Sequence, residues 1–226
     1  MRTIARPVLR FLASVLITSG ILMLVDAALT VTWQEPVSAF LAQRQQDKLD
    51  DELRGQGAQV ERDRATLADV RGRHERLRRL AKLSRERARN GHAVGTIRLP
   101  RPKRDYAVVE GTGTGDLRKG PGHFPKTHFP GEGGTVAIAG HRTTYLAPFN
   151  ANDKLKTGDK IVLDMPYGRF TYAVERTRIV DPDDISVIER VPGAERLVLS
   201  ACHPKYSAAE RIIVFARLRS EEERAR

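Results

Sequence analysis

The sequence predicts a mainly β domain, an antiparallel sandwich or barrel of about 125 residues, carried behind a membrane-spanning helix and a charged helical stalk. Three observations lead there. Residues 11–33 form a long apolar stretch interrupted by one acid, Asp26; residues 34–92 are charged and free of Pro after Pro36; and from Ala93 onward short β-like runs alternate with turn signals.

The first ten residues contain Arg2, Arg6 and Arg10 and are read as a cytoplasmic N-terminus. Phe11 to Trp33 is 23 residues, about 34 Å as a helix, which is enough to cross a bilayer. The next 20 residues carry only Arg44 and Lys48 among five acids. The positive-inside rule therefore puts everything after Trp33 outside the membrane. Asp26 lies toward the outer third of the span, where its carboxylate reaches the headgroups more easily than from the centre. The competing reading is a signal peptide cut after a small residue such as Ala27, which exports the same C-terminal half.

Residues 34–104 hold 18 basic and 10 acidic side chains, against three Arg and one Asp before them and 18 and 17 after them. The formal net charge of +11 is thus distributed as +2 for residues 1–33, +8 for 34–104 and +1 for 105–226. A nearly neutral C-terminal half argues against a nucleic-acid-binding domain, whose basic charge sits on the folded unit itself. Leu53, Val60 and Leu67 recur every seven residues, as do Val70 and Leu77. This partial heptad seam, weakened by Gly55 and Gly57, predicts a helical stalk able to self-associate. The arginine-dense run "RGRHERLRRLAKLSRERAR" is read as a solvated helix face, or one drawn to anionic lipid and wall polymers.

In the C-terminal half, "TVAIAG", "KIVLDMPYGRFTYAVERTRIV", "ERLVLSA" and "RIIVFARL" read as strands, with "MPYG" as a hairpin turn inside the second. "GTGTGDLRKGPGH" matches neither the dinucleotide nor the P-loop pattern and is read as a loop. Two polar residues end strands: His141 follows "TVAIAG", and Cys202, the sole cysteine, follows "LVLSA". Arg211 opens the next strand nine residues after the cysteine, so a strand-loop-strand unit returns its guanidinium to the thiol. A thiolate to attack a carbonyl, an imidazole to protonate the departing amine and a guanidinium to hold the oxyanion suffice for acyl transfer. Each has a plainer alternative: a small buried hydrophobe, a loop-bonding imidazole and a surface cation. His123, His128 and His203 raise the question of a metal, but no pair has ligand-like spacing on one element, so neither metal nor cofactor is expected.

"LRKGPGHFPKTHFPGEGGTVAIAGHRTTYLAPF" followed by "LVLSACHPKYSAAERIIVFARL" resembles the sortases, membrane-anchored cysteine transpeptidases of Gram-positive surfaces, and most closely class E of the actinobacteria. The similarity covers about residues 93–219 and leaves 220–226 as a charged tail. The resemblance implies an eight-stranded sortase β-barrel with His141, Cys202 and Arg211 as the catalytic set. It also implies cleavage of an LPxTG-like sorting signal, LAxTG in class E, between Thr and Gly. The acyl group then passes to an amine of a peptidoglycan precursor or a pilin. Tyr145, in "HRTTY", falls in a segment that class E members use near the signal. Sortases read TLxTC before the nucleophile, whereas Val198 and Ala201 stand where the threonines would be. Any substrate contact at Ala201 therefore comes from backbone rather than a hydroxyl. His203 adds a second imidazole, which either lowers the thiol pKa when protonated or faces solvent. Two other classes compete: an L,D-transpeptidase, whose Ser-x-Gly-Cys-x-Arg cluster is missing here, and a non-catalytic envelope scaffold that binds peptide.

Overall fold

A computed structural model describes residues 5–32, 36–191 and 193–224. The apolar N-terminal segment is helix α1 (Ala5–Thr32). Within it Arg6–Ala28 has a mean hydropathy of 2.2 and none of it is buried, so by length and composition it is a candidate membrane span. Trp33, the expected interfacial aromatic, lies outside the described residues.

Eight strands follow: β1 (Ala93–Pro100), β2 (Lys103–Glu110), β3 (Gly122–His123), β4 (Thr135–Ala139), β5 (Lys160–Met165), β6 (Gly168–Val180), β7 (Arg196–His203) and β8 (Glu210–Glu223). They close into a barrel in the order β1-β2-β3-β4-β7-β8-β6-β5, which bears out the eight-stranded expectation. The antiparallel reading needs correction at two pairs, since β2 runs parallel to β3 and β4 parallel to β7. Parallel neighbours need a crossover. The first spans residues 111–121 and includes the one-turn helix α5 (Thr114–Leu117); the second carries the whole β5–β6 hairpin. The hairpin turns at Pro166-Tyr167 as expected, and β6 curls onto β8 through two bulges, at Thr171/Tyr172 and Val174/Arg176. β8 also takes up residues 220–223 of the expected tail.

Alternation sets two faces on the strands that matter for the site. Val136, Ile138, Leu197, Leu199, Ala201, Ile212 and Val214 point into the barrel core. Ala137, Val198, Ile213 and Phe215 point outward, under the 3-10 turn Ile185–Ile188 that precedes β7.

The charged 34–92 segment is helical, but it is not an extended stalk. It breaks into α2 (Pro36–Gly55), α3 (Gly57–Thr66) and α4 (Arg73–Arg87), with turns at Gln56 and at Gly72, whose φ is +89°. All three fold back onto the barrel. The heptad residues supply the reason: Val60 and Leu77 join the barrel's own core, Leu67 packs against it, and Leu53 packs against Ala93, Ala107 and Val109. A seam buried this way within one chain is not free to pair with another. The approach is close enough that a Cβ at Gly168 would lie 2.9 Å from Leu77 Cδ2 and 2.8 Å from the Glu222 carbonyl. Gln46 on α2 mimics a strand, accepting from Ala107 N at 2.7 Å and donating to Ala107 O at 3.1 Å and Lys119 O at 2.7 Å. Part of the segment's positive excess is matched by barrel acids, through Arg85–Glu132 at 2.7 Å and Arg76–Glu223 at 3.1 Å.

Candidate active site

Cys202, His141 and Arg211 come from three adjacent strands at one end of the barrel. β7 keeps a regular register with β8 to its end, so Cys202 stands directly opposite Arg211. Directly opposed residues have Cβ atoms about 5 Å apart and share a face. That face is the outer one, because Ala201 and Ile212 turn into the core. Cys202 is half-buried and its thiol is free.

The histidine is fixed from both sides in sequence. β4 and β7 stay in parallel register through Ala139 and Ser200; one residue on, Gly140 N donates to Ser200 O at 3.0 Å. One residue past His141, Arg142 Nη1 donates to Cys202 O at 3.3 Å. His141 lies between two residues that both bond to β7, which holds its backbone beside the end of β7 that bears the cysteine. Its carbonyl accepts from Phe149 N at 3.0 Å. Phe149 is fully buried and its ring fills the space over Gly140, where a Cβ would be 2.6 Å away.

His141 Nε2 is buried and has no hydrogen-bond partner among the described residues. Burial, with a smaller contribution from the positive charge of Arg118, holds its pKa below the ordinary histidine range. The imidazole is thus neutral at neutral pH and available as a base. The Tyr145 ring lies 5.0 Å from it at an interplanar angle of 42°, and the Arg118 guanidinium lies 5.8 Å from the far ring. Tyr145, Leu146 and Ala147 are consecutive left-handed residues, with φ of 49°, 66° and 41°. Such a conformation costs roughly 1–2 kcal/mol per residue. Leu146 and Ala147, tucked inward, hold it in place.

Not every expected residue is aimed at the thiol. Arg211 Nη1 donates to the carbonyls of Ala208 and Glu210, each at 3.0 Å, so its fork is turned toward the β7–β8 loop. Ala201 is 3% exposed with its side chain in the core, so a side-chain contact to substrate is ruled out at that position. His203 is half-buried, and its Nδ1 accepts from Arg142 Nη1 at 2.8 Å. His123 bonds Glu110 at 2.9 Å and the His128 carbonyl at 3.0 Å, deep in the β2–β3 interface. The sequence reading missed Arg142, Asp153 and Asn150. Their only sequence signal is that Arg142 adjoins His141, and nothing local shows that Asp153, eleven positions later in a 3-10 turn, meets it.

Outward from Cys202, β4 and β7 present Ala137, Ala139, Val198 and Ser200. Ala137 and Val198 are fully buried under the turn whose Ile185 is 71% exposed, so of these four only Ala139 and Ser200 reach the surface in part.

Comparison with known proteins gives a consistent result. The family model for the sortase domain matches residues 97–219, just over half of the chain. Sortase D of Bacillus subtilis is 37% identical over 130 residues, covering 56% of this chain and 64% of the relative. Sortase SrtE1 of Streptomyces coelicolor is 27% identical over 151 residues, covering 60% of this chain and 43% of the relative. The chain thus spans less than two thirds of either relative. The solved structure of sortase E from Streptomyces avermitilis superposes with a TM-score of 0.55 at 34% identity, covering 60% of this chain and 93% of that one.

Proposed function

Because this chain belongs to the sortase family, we propose that it is a membrane-anchored cysteine transpeptidase in which Cys202 is the nucleophile, His141 the general acid and base, and Arg211 the oxyanion partner. The observation that carries the reading is that Cys202 pairs directly with Arg211 across β7 and β8, while the residues on either side of His141 bond to β7 at Ser200 and Cys202.

In this mechanism the sorting-signal peptide lies along the outer face beside Ala139 and Ser200, with its scissile carbonyl at Cys202. The thiol gives its proton to neutral His141 as sulfur attacks the threonine carbonyl. Arg211 leaves its loop carbonyls to meet the oxyanion. The imidazolium then protonates the departing glycine amine as the C–N bond breaks, leaving a thioester on Cys202 and a neutral His141. An acceptor amine attacks the thioester and passes its proton to His141. Collapse expels the thiolate, which regains that proton. A buried His141 with a lowered pKa suits this cycle, since it starts and ends uncharged.

The substrate is an LAxTG- or LPxTG-like signal, and the acceptor is an amine of a cell-wall precursor or pilin. Helix α1 anchors the enzyme with its N-terminus in the cytoplasm and the barrel, residues 93–219, outside. The test uses the full chain in detergent with fluorogenic LAxTG and LPxTG peptides, with and without a small amine. Cleavage with a thioester at Cys202, abolished in Cys202→Ala, is expected. A wild type that neither cleaves nor acylates would sink the enzymatic reading in favour of a peptide-binding scaffold.

A further inference from the structure

The guanidinium of Arg142 is a buried charge for which the reaction above has no use. The residue is 4% exposed. Nη1 donates to Cys202 O at 3.3 Å and to His203 Nδ1 at 2.8 Å, while Nη2 meets Asp153 Oδ1 at 3.1 Å. A second link runs alongside, since Asn150 Nδ2 donates to Arg142 O at 3.0 Å and Asn150 Oδ1 accepts from Lys205 Nζ at 3.1 Å. Two chains of bonds therefore tie the loop after β4 to the end of β7 and the loop that follows it.

Burying a guanidinium is a poor way to gain stability, because desolvation offsets most of the attraction and apolar packing often does as well. Here the burial is not even fully compensated, as Nε has no partner among the described residues. An apolar side chain cannot, however, fix a main-chain carbonyl, a ring nitrogen and a carboxylate in one plane. The planar fork of arginine can.

We propose that Arg142 is a positioning residue for transpeptidation: it clamps the main chain of Cys202 and the ring of His203 to the residue next to His141, so that thiol and imidazole keep one separation through both acyl transfers. The proposal rests on the sortase reading. It gives His203 a definite task, that of hydrogen-bond acceptor with its proton on Nε2. It also explains why a lysine would not serve at position 142, since an ammonium offers no fixed plane.

Three variants in the full-length protein test the clamp: Arg142→Gln, His203→Ala and His203→Asn. In the last, Oδ1 takes the place of Nδ1 as acceptor. A misplacement of about 1 Å between reacting groups costs up to roughly 100-fold, so Arg142→Gln is expected to lose roughly 10- to 100-fold in kcat with KM little changed. His203→Ala loses less, and His203→Asn regains most of that loss, but only while Arg142 is present. A purely structural arginine would not produce this acceptor-specific rescue. Unchanged kcat in Arg142→Gln, a loss confined to KM, or equal defects in the two His203 variants would each overturn the proposal. If Arg142→Gln fails to fold, the His203 pair decides. Alkylation of Cys202 by iodoacetamide needs no peptide and separates the two readings. The thiol reacts as it passes its proton to a positioned base, so Arg142→Gln, with His141 no longer held in place, should react severalfold more slowly than wild type. If the wild type cleaves no peptide, the sortase reading fails, and equal alkylation rates would then overturn the clamp as well.

Discussion

The lowered pKa of His141 makes a prediction at the level of one residue. Burial, aided by Arg118, disfavours its charged form in the folded protein relative to the ordinary value of 6.5. The unfolded chain therefore binds more protons between the folded pKa and 6.5, and stability rises with pH across that window. The stabilisation is complete above 6.5 and is lost as pH falls toward the folded value. A His141→Gln variant removes this term, so the difference in Tm between wild type and variant should be flat above pH 6.5 and shift against wild type below it. A difference that stays flat on acidification would remove the basis for a neutral resting imidazole. Arg211→Lys is expected to lose at least about tenfold in kcat/KM, because an ammonium cannot reproduce the guanidinium fork at an oxyanion; near-normal turnover would count against that role. The three residues were legible because each breaks an apolar strand pattern at its end. The orientation of their side chains was not legible, since it depends on partners distant in sequence: Arg211 is held by the loop carbonyls of residues 208 and 210, and His203 by Arg142.

At the scale of elements, the strands were readable and their pairing was not. A strand's period of two shows in its own residues, but that β4 pairs parallel with β7 depends on a crossover of more than fifty residues. The heptad seam of the charged segment predicts an apolar stripe able to self-associate, and in the structure Val60, Leu77, Leu67 and Leu53 of that stripe pack against the barrel of the same chain. Sequence period tells that a helix has an apolar stripe, not what covers it. Leu77 tests the correction. It is fully buried in the barrel core, so Leu77→Ala should cost about 2–5 kcal/mol, read as a lowered urea midpoint by far-UV circular dichroism in detergent. A freely projecting stalk would show almost no change. Glu195, at the start of β7, tests how the β3–β4 connection is held. Its carboxylate accepts from Tyr172 Oη at 2.6 Å and from Gly131 N and Gly133 N at 2.9 and 3.0 Å. An amide in its place presents a donor to at least one of these donors. Glu195→Gln should therefore cost roughly 1–3 kcal/mol and expose the 129–134 loop to proteolysis.

For the whole molecule, the charge distribution acquires a structural meaning that composition alone did not carry. The +8 of residues 34–104 divides evenly between the helices folded against the barrel, +4 for 34–92, and the barrel's own first strands, +4 for 93–104, and α1 extends from the same end of the chain with none of its apolar surface buried. By length and composition this helix is a candidate membrane span, and in the proposed topology Arg6 and Arg10 at its start lie on the cytoplasmic side. The barrel, with its half-buried thiol, would then face outward. Because Cys202 is the sole cysteine of the chain, topology can be read from a single reaction. A membrane-impermeant maleimide applied to intact cells should label the wild-type protein and not Cys202→Ala. Labelling that appears only after lysis would put the barrel on the cytoplasmic side and leave it without access to an exported sorting signal, whatever its activity in detergent. The same cells distinguish a retained anchor from a cleaved leader: with an N-terminal tag, the labelled species should sediment with membranes and keep the tag, since loss of α1 would leave no comparable apolar helix among the described residues.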